Sequence, residues 1–163
     1  MVSSLFFEFG KRMTSPPIAI ASDHGGFELK SALKAELARL GHETLDLGTN
    51  GPTSVDYPDF ADAMADAIGQ GRAERGILIC GTGIGISIAA NRHPELRAAL
   101  VHDAYTARMA RQHNDANVLV LGGRTIGVET AKDCLDVFLT TAFEGGRHAR
   151  RVEKLGPAAG LRS

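Results

Sequence analysis

Cys80, Gly81, Thr82, Gly83, Ile84 and Gly85 stand in a row, after the apolar run Gly76-Ile77-Leu78-Ile79 and before Ile86-Ser87-Ile88-Ala89-Ala90. That order reads as strand, glycine-rich turn and helix start. A thiol at a strand end can act as a base or a nucleophile. The glycines let backbone N–H groups come close to a ligand, and a helix start favours negative charge. The same setting favours thiolate over thiol. Cys134 lies among Leu135, Val137 and Phe138 in a helical stretch and reads as core packing.

The loop is spaced G-x-G-x-G, and Ile86 stands where a dinucleotide fingerprint needs its last glycine. No Gly-Lys-Ser/Thr closes it, so it is not a phosphate loop of the nucleotide-hydrolase kind. Asp23 and His24 follow the first apolar run and read, as a pair, as a cap on the first helix. The histidines show no zinc spacing, and neither a metal nor a cofactor is implied. Arg147, His148, Arg150, Arg151 and Lys154 form a basic run, which by itself reads as a solvated helix face. Arg147 and Arg151 are four apart, on one face, and two guanidinium forks side by side suit a phosphate dianion.

The elements that must position these groups alternate along the chain. Apolar runs predict strands over 18–21, 43–47, 76–79, 97–101 and 117–121. Helical spacing predicts helices over 27–40, 60–68, 103–112 and 128–143, a short one after the glycine loop and a basic one over 147–155. Residues 48–58 read as a polar loop. Strand and helix in alternation with short connections predict an α/β fold. It is a doubly wound, Rossmann-like three-layer αβα sandwich with a five-stranded parallel sheet. In such sheets ligands sit beyond the carboxyl ends of the strands. Asp23, His24, Cys80 to Gly85, His102, Asp103 and Arg124 fall there. His113 and Asn114 precede the fifth strand, and Arg147 and Arg151 follow the last long helix, so both pairs fall at the opposite edge. They serve the same site only from a second subunit or a swapped helix.

The 163 residues suffice for one domain with a real core, and the net charge of −1 gives no support to nucleic-acid or membrane-surface binding. No apolar run is long enough to span a bilayer. Two distant cysteines and an N-terminus that fails as a signal peptide point to a reducing cytoplasm. Residues 1–16 read as an N-terminal extension, 17–156 as the domain and 157–163 as a tail. Met13 reads as the natural start. The rival reading is an arm that packs Phe6, Phe7 and Phe9 on a neighbour.

Six motifs together resemble one family. They are Ser22-Asp23-His24-Gly25-Gly26, Val55-Asp56-Tyr57-Pro58, Cys80 to Gly85 with Ser87-Ile88-Ala89-Ala90-Asn91, Arg111 to Val118, Leu121-Gly122-Gly123-Arg124 and Arg147 to Arg151. The chain is similar, from about residue 18 to 155, to ribose-5-phosphate isomerase type B and the galactose-6-phosphate isomerase subunits related to it. The resemblance implies a metal-free aldose–ketose isomerase of phosphorylated sugars. It also implies a homodimer or homotetramer in which the basic C-terminal helix reaches a partner subunit.

In one branch of that family the cysteine before G-T-G-I-G is the base. In another a glutamate takes the job where this chain has Ile86, so the resemblance leaves Cys80 as the base here. It casts His113 as the acid of ring opening, Asp23 as a substrate contact that assists it, and Thr82 as a neighbour of the reacting carbons. Tyr57, Gly81, Gly83, Ile84, Gly85 and Asn114 become substrate contacts. Arg124, Arg147 and Arg151, with His24, become the phosphate clamp. Gly25, where many relatives carry alanine, is a departure. Two other classes remain as rivals, a nucleotide-binding oxidoreductase domain and a non-catalytic sugar-phosphate sensor or partner subunit.

Overall fold

The computed structural model describes residues 15–156; the expectations for Met13, the Phe6–Phe9 arm and the tail lie outside the described residues. One parallel sheet runs through the centre. Its strands are β1 (Ile18–Ser22), β2 (Thr44–Asp46), β3 (Arg75–Cys80), β4 (Ala98–Leu100) and β5 (Val118–Gly122), in the order β2-β1-β3-β5-β4. The helices are α1 (Phe27–Arg39), α2 (Tyr57–Gly69), α3 (Ile84–Ala90), α4 (Ala104–Asn114), α5 (Val128–Thr140) and α6 (Arg147–Glu153). The expected αβα sandwich is present.

Strand side chains alternate between faces. Ile18, Ile20, Ile77, Ile79, Leu119 and Leu121 pack with α1, α4 and α5. Ala19, Ala21, Leu78, Cys80, Val118 and Val120 pack with α2 and α3. Of the three inner strands, β1 and β5 are buried at every residue and β3 at every residue but Arg75, which is why they read as unbroken apolar runs. Cys134 is fully buried on the first face, and burial pushes its thiol up to about 11. That fits the packing role expected of it.

Several element boundaries differ from expectation, among them three helix ends. α2 begins at Tyr57, three residues early, so Tyr57 belongs to the helix and not to the polar loop. Pro58 sits in the first turn, where the backbone N–H has no helical partner to lose. α4 runs past Gln112 through His113 and Asn114, and stops at Asp115, whose φ of 46° is left-handed. α5 ends at Thr140, before the expected Phe143. There Arg75 donates to the carbonyls of Phe138 and Leu139, and Arg111 donates to that of Thr141, so two guanidinium groups close the helix.

The chain leaves β1 for β2 on one side and returns across it to β3 on the other. The carboxyl ends of β1 and β3 therefore flank the crevice where direction reverses. In register, Ser22 lies beside Ile79 and Cys80 beside Gly122, so three strand ends stand level.

Candidate active site

Cys80 is the last residue of β3 and is buried, 4% exposed. Its Sγ accepts the Gly83 N–H at 3.1 Å. Gly83 turns the chain into α3 with φ 79°, a left-handed conformation that a side chain disfavours. A Cβ there would also stand 2.5 Å from Leu100 Cδ1 and 3.1 Å from the Leu121 carbonyl oxygen. Thr82 is exposed at the tip, and its Oγ1 accepts the Ile84 N–H at 3.2 Å.

Asp23 caps the turn after β1, as expected. Its Oδ1 accepts from Gly25 N at 2.8 Å and from Gly26 N at 3.2 Å. Its Oδ2 makes no hydrogen bond among the described residues. The turns after β1, β3 and β5 touch one another. A Cβ on Gly25 would lie 3.0 Å from Gly81 N, and one on Gly123 would lie 2.5 Å from the Gly25 carbonyl oxygen. Gly123 N donates to Cys80 O at 2.8 Å and Arg124 N to Gly81 O at 2.9 Å. The Arg124 side chain then lies over Gly81, and the Tyr57 ring lies over Gly85, within 2.6 Å of where a Cβ would stand. His24, half-buried, accepts the Val55 N–H on Nδ1 at 3.2 Å. One edge thus collects a thiol, a carboxylate, an imidazole, a phenol, a guanidinium and a glycine loop.

The remaining expected residues lie at the other edge. His113 and Asn114 occupy the last turn of α4, just before β5. Cys80 is level with Gly122, so the strand direction alone separates the two sets by about 13 Å. Such a span rules out direct proton transfer between Cys80 and His113 of one chain. Arg147 and Arg151 are exposed on α6, which packs on α4. A cavity also opens on this edge, between Arg92, Arg97 and Asn114 on one side and Val152 and Leu155 on the other; Cys80 does not line it.

His148 is a residue the sequence reading left without a role. It is buried and stacks on His113, with ring centroids 4.2 Å apart and planes 12° apart. Glu144 Oε2 stands 3.6 Å from its Nε2. Donor atoms of His113, Glu144 and His148 lie within 4.8 Å of one another. Ring lone pairs lie in the ring planes, and near-parallel planes do not meet at a common point. These residues as placed do not fit a cation. Burial pushes the His148 imidazole below its ordinary value, and His113, Arg147 and Arg151 push it the same way against the pull of Glu144.

The sequence matches the family described as Ribose/Galactose Isomerase over residues 18–155. It is 47% identical over 138 residues to the ribose-5-phosphate isomerase B of Escherichia coli, covering 85% of this chain and 93% of that protein. It is 44% identical over 141 residues to the D-erythrulose-4-phosphate isomerase of Pectobacterium atrosepticum, covering 85% of this chain and 92% of that one. Its fold superposes on the ribose-5-phosphate isomerase B structure from Clostridium thermocellum with a TM-score of 0.84 and 53% identity, covering 86% of this chain and 95% of the other.

Proposed function

This chain belongs to the ribose/galactose isomerase family and is a sugar-phosphate isomerase; from that premise we propose that it interconverts ribose 5-phosphate and ribulose 5-phosphate through an enediolate, with Cys80 as the base. The observation that carries the assignment of Cys80 is its Sγ at the mouth of the crevice, held by the Gly83 N–H at 3.1 Å. That bond fixes the sulfur at the strand end, beside the loop N–H groups that would face a reacting oxygen.

The cyclic sugar opens first. His113 gives a proton to the ring oxygen, and the unpaired oxygen of Asp23 takes the proton of the C1 hydroxyl. The C1–O ring bond breaks and the aldehyde forms. The Cys80 thiolate removes the proton from C2, and the C2–H electrons move into a C1–C2 double bond as the C1 oxygen becomes an oxyanion. N–H groups of the glycine loop stabilise that charge. The proton on O2 then passes to the O1 oxyanion, C2–O becomes a carbonyl as the electrons of the C1–C2 double bond take the proton from the thiol at C1, and the ketose and the Cys80 thiolate result. Arg124, Arg147 and Arg151 take the phosphate, far from the reacting carbons, so its binding positions them.

His113, Asn114, Arg147 and Arg151 reach this crevice from a second chain. The 13 Å or so between edges supports a composite site in a homodimer or a homotetramer. Exposed Ile84 and Ile88 beside the glycine loop supply apolar surface for such a contact.

A second reading keeps the chemistry and changes the sugar. The D-erythrulose-4-phosphate isomerase of Pectobacterium atrosepticum is nearly as similar as the ribose enzyme of Escherichia coli. Turnover of ribose 5-phosphate, erythrulose 4-phosphate, allose 6-phosphate and galactose 6-phosphate by the purified protein separates the two. The expected result is the highest kcat/KM with ribose 5-phosphate, and a higher value for another sugar moves the assignment to it.

A further inference from the structure

The loop from β2 to α2 is tied down at both ends. At its start, Ser22 N donates to Gly48 O at 2.8 Å and Thr49 N to Ser22 O at 2.7 Å. Lys30 supports this end from below. It is fully buried, 1% exposed, on α1, and its Nζ donates to Asp46 Oδ1 at 2.7 Å and to the Thr49 carbonyl. Asp46 Oδ1 also accepts the Gly48 N–H at 2.9 Å, and Oδ2 takes Lys34 at 2.7 Å. At its far end, Val55 N donates to His24 Nδ1 at 3.2 Å, one residue before the N-cap of α2.

That last bond fixes chemistry as well as position. Histidine tautomers are usually open to assignment, because either ring nitrogen can donate or accept. A backbone N–H only donates. Nδ1 must therefore be the unprotonated nitrogen, and the proton of the neutral ring sits on Nε2. Protonating Nδ1 would set two N–H groups against each other. The Val55 bond thus selects one tautomer and one ring orientation.

We propose that the β2–α2 loop is a positioning element for His24, with Lys30 and Val55 as the positioning residues, and that His24 serves the sugar phosphate as a neutral Nε2–H donor and not as a cation. The charge on the phosphate is then met by the arginines alone, and His24 contributes direction. This deepens the sugar-phosphate reading above and rests on it for the identity of the acceptor. The unexpected feature is Lys30, a charge buried one position along from the apolar Leu29 of α1, whose hydrogen bonds among the described residues go to the strand end and loop that lead to His24.

The experiment uses full-length protein labelled with nitrogen-15 in histidine, with His24 assigned from the signals lost in His24→Gln. Ring spectra at neutral pH, without ligand, are expected to show Nδ1 bare and Nε2 protonated. The opposite tautomer, or a doubly protonated ring, overturns the proposal. Val55→Pro deletes the donor while leaving Lys30 in place, and it is expected to give mixed tautomers with a KM for ribose 5-phosphate raised about tenfold at little change in kcat. Lys30→Met is expected to do the same, and an unchanged tautomer in a folded Val55→Pro or Lys30→Met protein removes that residue from the role. Should either fail to fold, two substitutions at the ring itself decide. His24→Gln carries an amide nitrogen to the place of Nε2 and should hold KM within about threefold, whereas His24→Asn, which replaces Nδ1 instead, should raise it about tenfold. Equal effects of the two overturn the donor role. If the wild type isomerises none of the four sugar phosphates, the functional reading falls, and the tautomer, measured without substrate, still decides the loop's role.

Discussion

His113 and His148 stack face to face, 4.2 Å between ring centroids, across the only contact made by two histidine rings among the described residues. His148 comes from α6 and is buried; His113 ends α4 and is half-buried. Two imidazoles this close are not both cations without cost. Burial, His113, Arg147 and Arg151 all disfavour charge on His148, and Glu144 opposes them. The stack is therefore built for an uncharged His148. It also fixes the ring proposed to open the sugar.

The sign of the pH dependence follows. A histidine whose proton is bound less readily in the folded chain than in the unfolded one costs nothing at alkaline pH. Below the ordinary histidine value of about 6.5 the unfolded chain takes up protons that the folded chain refuses, and stability falls as pH falls. His148→Phe keeps a ring on the stack and removes the titration. Its melting temperature is expected to depend less on pH between about 7 and 5 than that of the wild type. Equal slopes would mean that His148 is not the group responsible. The same variant should retain more activity than His148→Ala, because the ring face and not its nitrogens holds His113.

Asp46 gives the chain a second pH dependence, in a separate range. Burial pushes its carboxyl up, but Lys30, Lys34 and the Gly48 N–H outweigh burial and hold it below the usual carboxylate range. A depressed carboxylate stabilises the fold above its unfolded value, near 3.9, and that stability is lost as pH falls through the lower folded value. Unfolding free energies of wild type and Asp46→Asn from urea titration should differ at pH 7, by about 3 kcal/mol because Lys30 is left buried beside a neutral partner. The difference should begin to shrink as pH falls below about 4 and close only below the lower folded value. A constant difference across pH would assign the loss to packing instead.

Much of this architecture was legible in the chain. Unbroken apolar runs such as Ile18–Ala21 and Val118–Leu121 mark strands buried on both faces, and glycines at the strand ends mark the crevice. Cys80, Asp23, His24 and Arg124 came out on one edge because each stands at, or within two residues of, the carboxyl end of a strand. What was not legible depends on partners distant in sequence. Lys30 and Asp46 are 16 residues apart, and nothing in a helical pattern marks a lysine that will turn inward. His148 stood in a basic run that reads as surface, and only the fold brings His113 beneath it. The start of α2 was missed because Pro58 reads as a stop, although in a first turn it has no hydrogen bond to break.

Cys80→Ala should remove the proton shuttle and leave the phosphate contacts. Loss of a positioned general base costs on the order of 10²–10⁴ in rate. The expected outcome is kcat for ribose 5-phosphate lowered about 10³-fold, with competitive inhibition by inorganic phosphate unchanged within about twofold. Near-normal turnover in the variant would exclude the thiol from the mechanism. Weakened phosphate inhibition would mean instead that the loop itself has collapsed, a result that the hydrogen bond from Gly83 N to Sγ makes worth separating. Cys80→Ser, which keeps an acceptor for that N–H, controls for it.

The separation of Cys80 from His113 yields the most demanding prediction. Both residues belong to rigid elements, the end of β3 and the last turn of α4, on opposite edges of one sheet. No rotamer spans the distance between them, so a site that uses both must be assembled from two chains. In a symmetric dimer each site then takes Cys80 from one chain and His113 from the other. Cys80→Ala and His113→Ala proteins are each expected to be inactive. After denaturation together and refolding as an equal mixture, half of the dimers carry one chain of each kind. In those dimers one site has lost both residues and the other has neither defect. Activity should therefore return to about one quarter of that of the wild type, the mean expected from random pairing of independent sites. Tagged subunits purified as mixed dimers should show about half. If mixed dimers form and remain inactive, the two residues do not meet across the interface, and ring opening must be assigned to a group on the Cys80 edge, with Asp23 the first to examine.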